Sequence, residues 1–408
     1  MAKRAYDVVL HGATGFVGVL TAKHLATHAS GARIALSGRS KDKLEALRNK
    51  LAVDWPVIVS DAADEESLTA LAESTTAVAT TVGPYAKYGM PLVRACAEAG
   101  TSYADLTGEV LFVRDSHTAV HKLALETGAR IVHATGFDSV PSDLGVWLLH
   151  ERVTADGEGT LGDTVLLLKS FRGGVSGGTI DSLRTMVDEV KSDKDLRKVM
   201  ADPYSLSPER VLEPESPDKR AGRDVMTPTK DPLLGQWVAP FVMAPYNTRI
   251  VRRSNALLAH AYGPSFSYRE VMGVGTSPLA PVLAAGVTAG VGALAAGMAL
   301  PGTRQLLDRL LPKPGEGPSE KSRERGHFRA EIHTRTTTGK HYVAVVAAQG
   351  DPGYAATAVM FGESALCLGT DPLTSSGGVL TPAVAMGQAL VERLRARGFE
   401  ITVGAADE

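Results

Sequence analysis

The sequence predicts an α/β protein: a doubly wound parallel sheet with helices on both faces, then a second, α+β domain built on a mixed sheet. Three observations carry this expectation. Over the first 150 residues, short and near-continuously apolar runs alternate with helix-like segments, as buried parallel strands do. The stretch VVLHGATGFVG, Val8 to Gly18, sets three glycines three residues apart directly behind the first such run. After His150 the texture changes, and His327 to Ala348 alternates in character around Thr338-Gly339, which reads as a hairpin.

Taken in order, Tyr6 to His11 reads as a buried strand and Gly15 to His28 as a helix with apolar residues at helical spacing. Ala32 to Ser37 is a second strand, followed by a helix over Lys41 to Leu51. Val57 to Ser60 and Ala77 to Val82 are strands, with a helix over Glu65 to Glu73 between them and another over Leu92 to Ala99. Ser102 to Leu106 and Arg130 to Ala134 add two strands around a helix from Val113 to Glu126. Further on, Thr164 to Lys169 is strand-like and Thr179 to Val190 helical. Residues 201 to 232, rich in proline and charge, read as a long surface loop. Ala383 to Arg397 is an amphipathic helix. The expected division is a nucleotide-binding domain over 1–150, with 351–408 returning to pack on it, and a substrate or oligomerisation domain over 151–350.

Composition narrows the class. The 408 residues are 44% hydrophobic and 22% charged with a net charge of -2, which gives no electrostatic reason for a nucleic-acid partner. Cys96 and Cys367 are the only cysteines, which suits a reducing cytoplasmic setting. No secretory leader is visible, because the first apolar run ends in glycines. His117 and His121 stand four apart but lack a neighbouring glutamate and a third ligand, so no metal is expected. Residues 271 to 303 are 33 positions without a charge. Twelve of the 22 residues from Leu279 to Leu300 are Ala or Gly, which weakens transfer into lipid. Thr303 to Leu311 continues as an amphipathic turn or two. Three readings stay open: helices on a membrane surface at the inner face of the plasma membrane, helices buried in the protein or a homodimer, and a true span.

The glycines point to a dinucleotide. Gly12 sits where a strand turns sharply into a helix, and Gly15 lets the backbone approach a diphosphate at the helix N-terminus. Gly18 lets helix and strand pack closely, and Ala13, Thr14, Phe16 and Val17 complete the loop of a Rossmann-type domain. The end of the second strand selects the cofactor. An NAD enzyme has an acid there; this chain has Ser37-Gly38-Arg39-Ser40 and no acid until Asp42. Arg39 can pair with a 2′-phosphate and Ser40 can donate to it, so NADP(H) is expected. Asp61, closing the third strand, is placed for the adenine amino group, although turn chemistry also favours an acid there.

Further motifs follow: Val82-Gly83-Pro84-Tyr85, the run Gly100 to Glu109, Gly136-Phe137-Asp138-Ser139-Val140-Pro141-Ser142-Asp143, Gly177-Gly178-Thr179 and Gly377 to Ala383. With GATGFVG they resemble the saccharopine dehydrogenase-like oxidoreductases, and within them the trans-acting enoyl reductases of lipid biosynthesis. The resemblance spans nearly the whole chain and is weakest at 185–325. It implies a Rossmann domain with an inserted mixed sheet, NADPH as reductant, and an acyl or polyketide thioester reduced in trans, on a carrier protein or synthase. It carries over Gly12 to Gly18, Arg39, and Val82, Gly83, Pro84 and Tyr85 as cofactor contacts. Gly136, Phe137 and Asp138 would close over the nicotinamide.

Reduction of an enoyl thioester needs a group that polarises the carbonyl and a proton for the α-carbon. Tyr85, after the fourth strand, is one candidate; packing against the cofactor or loop is its other reading. Asp138 and Ser139 follow the sixth strand at the same end. Ser142 or Asp143 could instead cap the helix starting near Leu144. No tyrosine has a lysine four residues later, which sets aside the Tyr-Lys pair of short-chain dehydrogenases. Saccharopine-type amine chemistry and a non-catalytic lipid-surface protein are the competing readings.

Overall fold

A computed structural model describes residues 4–174, 184, 193–213, 222–299, 303 and 317–406. Strands β1 (Tyr6–His11), β2 (Ile34–Gly38), β3 (Val57–Val59), β4 (Thr75–Thr80), β5 (Ser102–Ala104) and β6 (Arg130–Val132) build a parallel sheet. Between them run α1 (Phe16–His28), α2 (Lys41–Leu51), α3 (Glu65–Ser74), α4 (Tyr85–Ala99) and α5 (Val110–Thr127), with α6 (Val140–Ala155) after β6. Val8, Val9, Leu10, Ala77, Val78 and Ala79 are buried, so both sheet faces are covered and the strands carry no polar alternation.

The second sheet comprises β7 (Leu161–Arg172), β8 (Thr229–Lys230), β9 (Trp237–Pro240), β10 (Ser267–Gly275), β11 (His327–Thr336) and β12 (His341–Gln349). Two strands from the end of the chain complete the pair of sheets: β13 (Gly378–Leu380) pairs with β6 and β14 (Glu400–Ala405) with β12. The orders are β13-β6-β5-β4-β1-β2-β3 and β14-β12-β11-β7-β10-β9-β8. The second sheet is antiparallel apart from the β7–β10 pair, so it is mixed. The expected hairpin is there, with Gly339 at φ 91° in its turn.

The end of the chain divides between the sheets. β13 and α11 (Thr357–Thr370) join the first sheet, but β14 leaves it for the open edge of β12, which corrects a wholesale return of 351–408. α12 (Pro382–Ala396) packs on α6, and α6 packs on β11 and β12. Gly145 lets Ile332 of β11 sit against the α6 backbone.

The second half holds more helix than its sequence suggests: α7 (Lys194–Ala201), α8 (Ala244–Leu257), α9 (Ala280–Ala299) and the short α10 (Glu320–Glu324). The proline-rich segment is no free surface loop. Arg249, Arg252 and Arg253 of α8 donate to the carbonyls of Met200 (2.7 Å), Pro203 (3.2 Å) and Leu206 (2.7 Å), and Leu206 is buried. The helices expected at Thr179–Val190 and Thr303–Leu311 fall almost wholly outside the described residues. α9 contradicts one reading of the uncharged segment. Leu279, Val282 and Leu283 at its start are 68%, 68% and 54% exposed, so the helix is not buried within this chain.

Candidate active site

The strand order reverses between β1 and β4, which opens a crevice at their C-terminal ends. Gly12 lies at φ 77° there, and a Cβ on it would come 2.7 Å from Thr81 Oγ1 and 2.9 Å from Val82. Thr81 Oγ1 donates to the Gly12 carbonyl (3.0 Å), so the loops after β1 and β4 touch. A Cβ on Gly18 would overlap the Gly12 carbonyl oxygen, which is the close packing expected of the third glycine. Gly15 is the exposed N-cap of α1 and brings no side chain, so the amides of Phe16, Val17 and Gly18 have no side-chain cap. The N–H groups of Gly12 and Ala13 are already given to the Ser37 carbonyl (2.9 and 3.1 Å). Thr14 is half-buried beside them.

The cofactor-selecting strand end is partly as expected. Arg39 is exposed and no described residue pairs with it. Ser40 Oγ accepts from Lys43 N (3.4 Å), capping α2 while keeping its own proton to donate. Ser37 is a correction: it is fully buried, and its hydroxyl is bonded to His11 Nδ1 (3.1 Å), so it acts through its carbonyl alone. His11 was not picked out by sequence. Burial pushes its pKa down to about 4, and its buried Nε2 has no partner among the described residues. Asp61 is exposed and accepts from Ala63 N (3.0 Å), which is turn chemistry that leaves its second carboxyl oxygen uncommitted. Uncapped amides, glycines that leave no room for Cβ atoms and an unpaired arginine at the rim fit NADP(H).

Beside this crevice, α4 begins at Tyr85, seven residues before the expected Leu92, and carries Pro91 inside it. Its first amides are filled: Tyr85 N and Ala86 N donate to Glu109 (3.0 and 2.7 Å). Tyr85 is itself a correction. It is 6% exposed, and its hydroxyl donates to the Thr80 carbonyl (3.1 Å) and accepts from Leu106 N (3.2 Å). It braces two loops and offers no proton to the crevice. Val82 is half-buried, and a cis peptide bond joins Gly83 to Pro84.

At the ends of β5 and β6, Asp105 accepts from Tyr103 OH (3.0 Å), His133 Nδ1 (2.7 Å), Thr107 N (3.1 Å) and Ala134 N (3.1 Å). Gly136 presses on Leu106 and Thr357, and Phe137 N donates to Thr357 Oγ1 (3.0 Å). The Phe137 ring packs edge-on against Phe328 at 4.8 Å. Asp138 stays partly exposed; burial and then Asp105 push its carboxyl up to about 7. Ser139 is a third correction: it is fully buried and donates to Asn247 Oδ1 (3.3 Å). Asn247 Nδ2 in turn donates to Glu270 (2.9 Å), as does Tyr268 OH (2.8 Å). Asp143 does not cap α6; it accepts from Ser254 and from Ala383 N (2.8 Å), tying α6 to α8 and α12. His117 and His121 bond Arg253 and Val379 N instead of facing a common ligand (both 3.1 Å).

Fold and site together define the class: an oxidoreductase with a Rossmann-type domain that takes NADP(H). The family model described as the saccharopine dehydrogenase NADP binding domain matches residues 8–132. The trans-acting enoyl reductases of Mycobacterium ulcerans and Mycobacterium tuberculosis are 48% and 50% identical, with 98% and 97% of each chain covered. A further Mycobacterium tuberculosis chain that carries the name of a putative trans-acting enoyl reductase is 52% identical over 98% of this chain and 97% of its own. The chain belongs to the saccharopine dehydrogenase-like family, in its trans-acting enoyl reductase branch. Saccharopine dehydrogenase (L-Glu forming) from Saccharomyces cerevisiae shares the fold, with a TM-score of 0.54 at 12% identity over 98% of this chain and 100% of that one.

Proposed function

We propose that this protein is an NADPH-dependent enoyl reductase that saturates the carbon–carbon double bond of an acyl or polyketide thioester held by a separate synthase. The carrying observation is the open start of α1, with bare amides behind Gly15 and the unpaired Arg39 beyond β2. The names of relatives about half identical over nearly full length support the same reading. Residues 1–150, with β13 and α11, form the nucleotide part, and 151–350 the substrate part.

The reduced nicotinamide, when bound, supplies the hydride that reaches the β-carbon. The amides of Phe16, Val17 and Gly18 hold the diphosphate, and Arg39 with Ser40 holds the 2′-phosphate. Asp138, with its pKa pushed up to about 7, is poised between acid and base at neutral pH, and its protonated form can give the proton to the α-carbon. A saccharopine-type substrate carries several carboxylates, but Arg249, Arg252 and Arg253 of α8 are buried and committed to main-chain carbonyls.

The test is loss of NADPH absorbance with a carrier-bound enoyl thioester. No oxidation by the purified protein overturns the reading. Arg39→Gln is expected to weaken NADPH roughly tenfold to a hundredfold while leaving NADH unchanged, the range of one lost charge-assisted pair. An unaltered preference removes Arg39 from the cofactor site. The exposed apolar start of α9 lies, in this proposal, against the cytoplasmic face of a membrane. Wild type should float with anionic vesicles and Val282→Glu/Leu283→Glu should not; a wild type that stays behind, or that sediments as a dimer through this helix, overturns membrane contact.

A further inference from the structure

Tyr246 stands on the first turn of α8 and is 4% exposed. Its hydroxyl is buried and has no hydrogen-bond partner among the described residues. Buried polar groups are nearly always paired, so an orphan of this kind asks what pairs with it. Its electrostatic neighbours are Asp105, Asp138, Glu109 and Tyr85, all at the C-terminal ends of β4, β5 and β6 where sheets of this kind take ligands. The other polar side chains of that edge are committed. Tyr85 holds Thr80 and Leu106, and Asp105 collects Tyr103 and His133. Glu109 holds the amides of α4, and Ser139 holds Asn247. Among the described residues, the Asp138 carboxyl, which accepts from its own backbone N–H, and the Tyr246 hydroxyl are left. Around the Tyr246 ring are Val110, Val113, Ala134, Leu206 and Ile250, an apolar wall that suits an acyl group. Arg253 pins Leu206 through its carbonyl, and Asp138, an electrostatic neighbour of Tyr246, is partly exposed to solvent.

We propose that Tyr246 is a catalytic residue whose hydroxyl donates the hydrogen bond that holds the thioester carbonyl oxygen of the bound acyl group. The inference rests on the enoyl reductase reading. As hydride adds to the β-carbon, the π pair of the double bond moves towards the α-carbon and the carbonyl oxygen, giving an enolate. The α-carbon then takes the Asp138 proton, and Asp138 recovers one from solvent. No bond to Tyr246 breaks. Its hydrogen bond strengthens as charge collects on the oxygen, so it favours the transition state over the ground state. Burial, reinforced by the neighbouring carboxyl groups, raises its pKa and keeps the phenol a donor.

The experiment compares wild type with Tyr246→Phe, using the crotonyl thioester of pantetheine. Removing one such donor should lower kcat roughly a hundredfold. NADPH affinity should stay within about twofold, since in the proposed reading the phenol meets the acyl group and not the diphosphate. The thermal midpoint should hold or rise, because the deleted hydroxyl had no partner to lose. A tyrosine serving structure alone would show the reverse, a lower midpoint with kcat kept, and that result overturns the assignment. A second arm needs no turnover: calorimetry of butyryl pantetheine with NADP+ present, where the variant should bind roughly tenfold more weakly. If wild type turns over and the variant matches it, Tyr246 falls while the reductase reading stands. If wild type does not turn over, that reading falls, and equal butyryl thioester affinity in both proteins removes Tyr246 as well.

Discussion

α1 and α4 start on either side of the crevice, after neighbouring strands, and their first amides meet opposite fates. α1 opens on a glycine with no side chain to offer, so its leading N–H groups wait for an anion. α4 opens on Pro84, and Glu109, 24 residues after Tyr85, reaches back to take the N–H groups of Tyr85 and Ala86. An uncapped helix start is a cost that a ligand can offset, while a filled one is scaffold. The difference supports the proposal that α1 takes the diphosphate, and leaves α4 to fix the loop that carries Tyr85.

Making α1 resemble α4 should break the contrast most sharply. Gly15→Asp puts a carboxylate at an N-cap with φ -70° and ψ 165°, a conformation any residue adopts. Its Cβ would sit 3.3 Å from the Gly12 oxygen, a tight fit that needs a small shift. We expect NADPH affinity to fall at least about a hundredfold from charge repulsion, with folding stability changed by less than about 1 kcal/mol. Titration by fluorescence and urea unfolding check the two halves. Retained affinity would mean the diphosphate lies elsewhere.

Making α4 resemble α1 should act on stability instead. Glu109→Gln keeps one acceptor and turns an amide nitrogen towards the other buried N–H. The loss should be about 3 kcal/mol in urea unfolding, with NADPH affinity little changed in the protein that remains folded. Unchanged stability would show that Glu109 does not secure α4.

How far the sequence could show this follows from the range of the interactions. β1 and α2 have the bounds the sequence predicts, because strand, glycine stop and N-cap are all local. The expectation for Arg39 is equally local: an arginine where an acid would otherwise stand is a one-position signal. The start of α4 was not, since Gly89 and Pro91 mask it and its cap arrives from another loop. α8 was hidden by Arg249, Arg252 and Arg253, which a periodicity argument places in solvent. Here they are buried, giving their protons to carbonyls. Tyr246 has no signal in one dimension at all; an orphan hydroxyl exists only once its surroundings do.

Tyr85 and Tyr246 sharpen the comparison at the level of single hydroxyls. Tyr85→Phe deletes a hydroxyl with two backbone partners, Thr80 and Leu106. It should cost about 2 kcal/mol of stability, since a buried N–H and a carbonyl are both left short. kcat should stay within about threefold of wild type, as the hydroxyl is not placed to reach a substrate. A large loss of kcat with unchanged stability would return Tyr85 to the reaction.

A pH dependence is expected at Glu270, whose carboxyl is held by the Tyr268 hydroxyl and the Asn247 amide. Burial pushes this carboxyl from 4.5 up to about 7, against the opposing pull of Ser142, Tyr268 and Asn247. Below about pH 4.5 both the folded and the unfolded chain carry the proton, so the group does not tilt the balance. From there to about pH 7 the unfolded chain ionises while the folded one keeps its proton, and stability falls as pH rises. Above that the loss is complete and constant. Glu270→Gln carries no titrating proton, and the Tyr268 hydroxyl can turn to accept from its amide. The variant should therefore gain on wild type steadily between about pH 4.5 and 7 and keep a constant lead beyond. Asp143 and Asp138, pushed up to about 6 and about 7, leave a residual slope of the same sign in the variant. Urea unfolding across that range measures the difference. A variant parallel to wild type at every pH would mean that Glu270 is already ionised in the folded chain, its charge held by Tyr268 and Asn247.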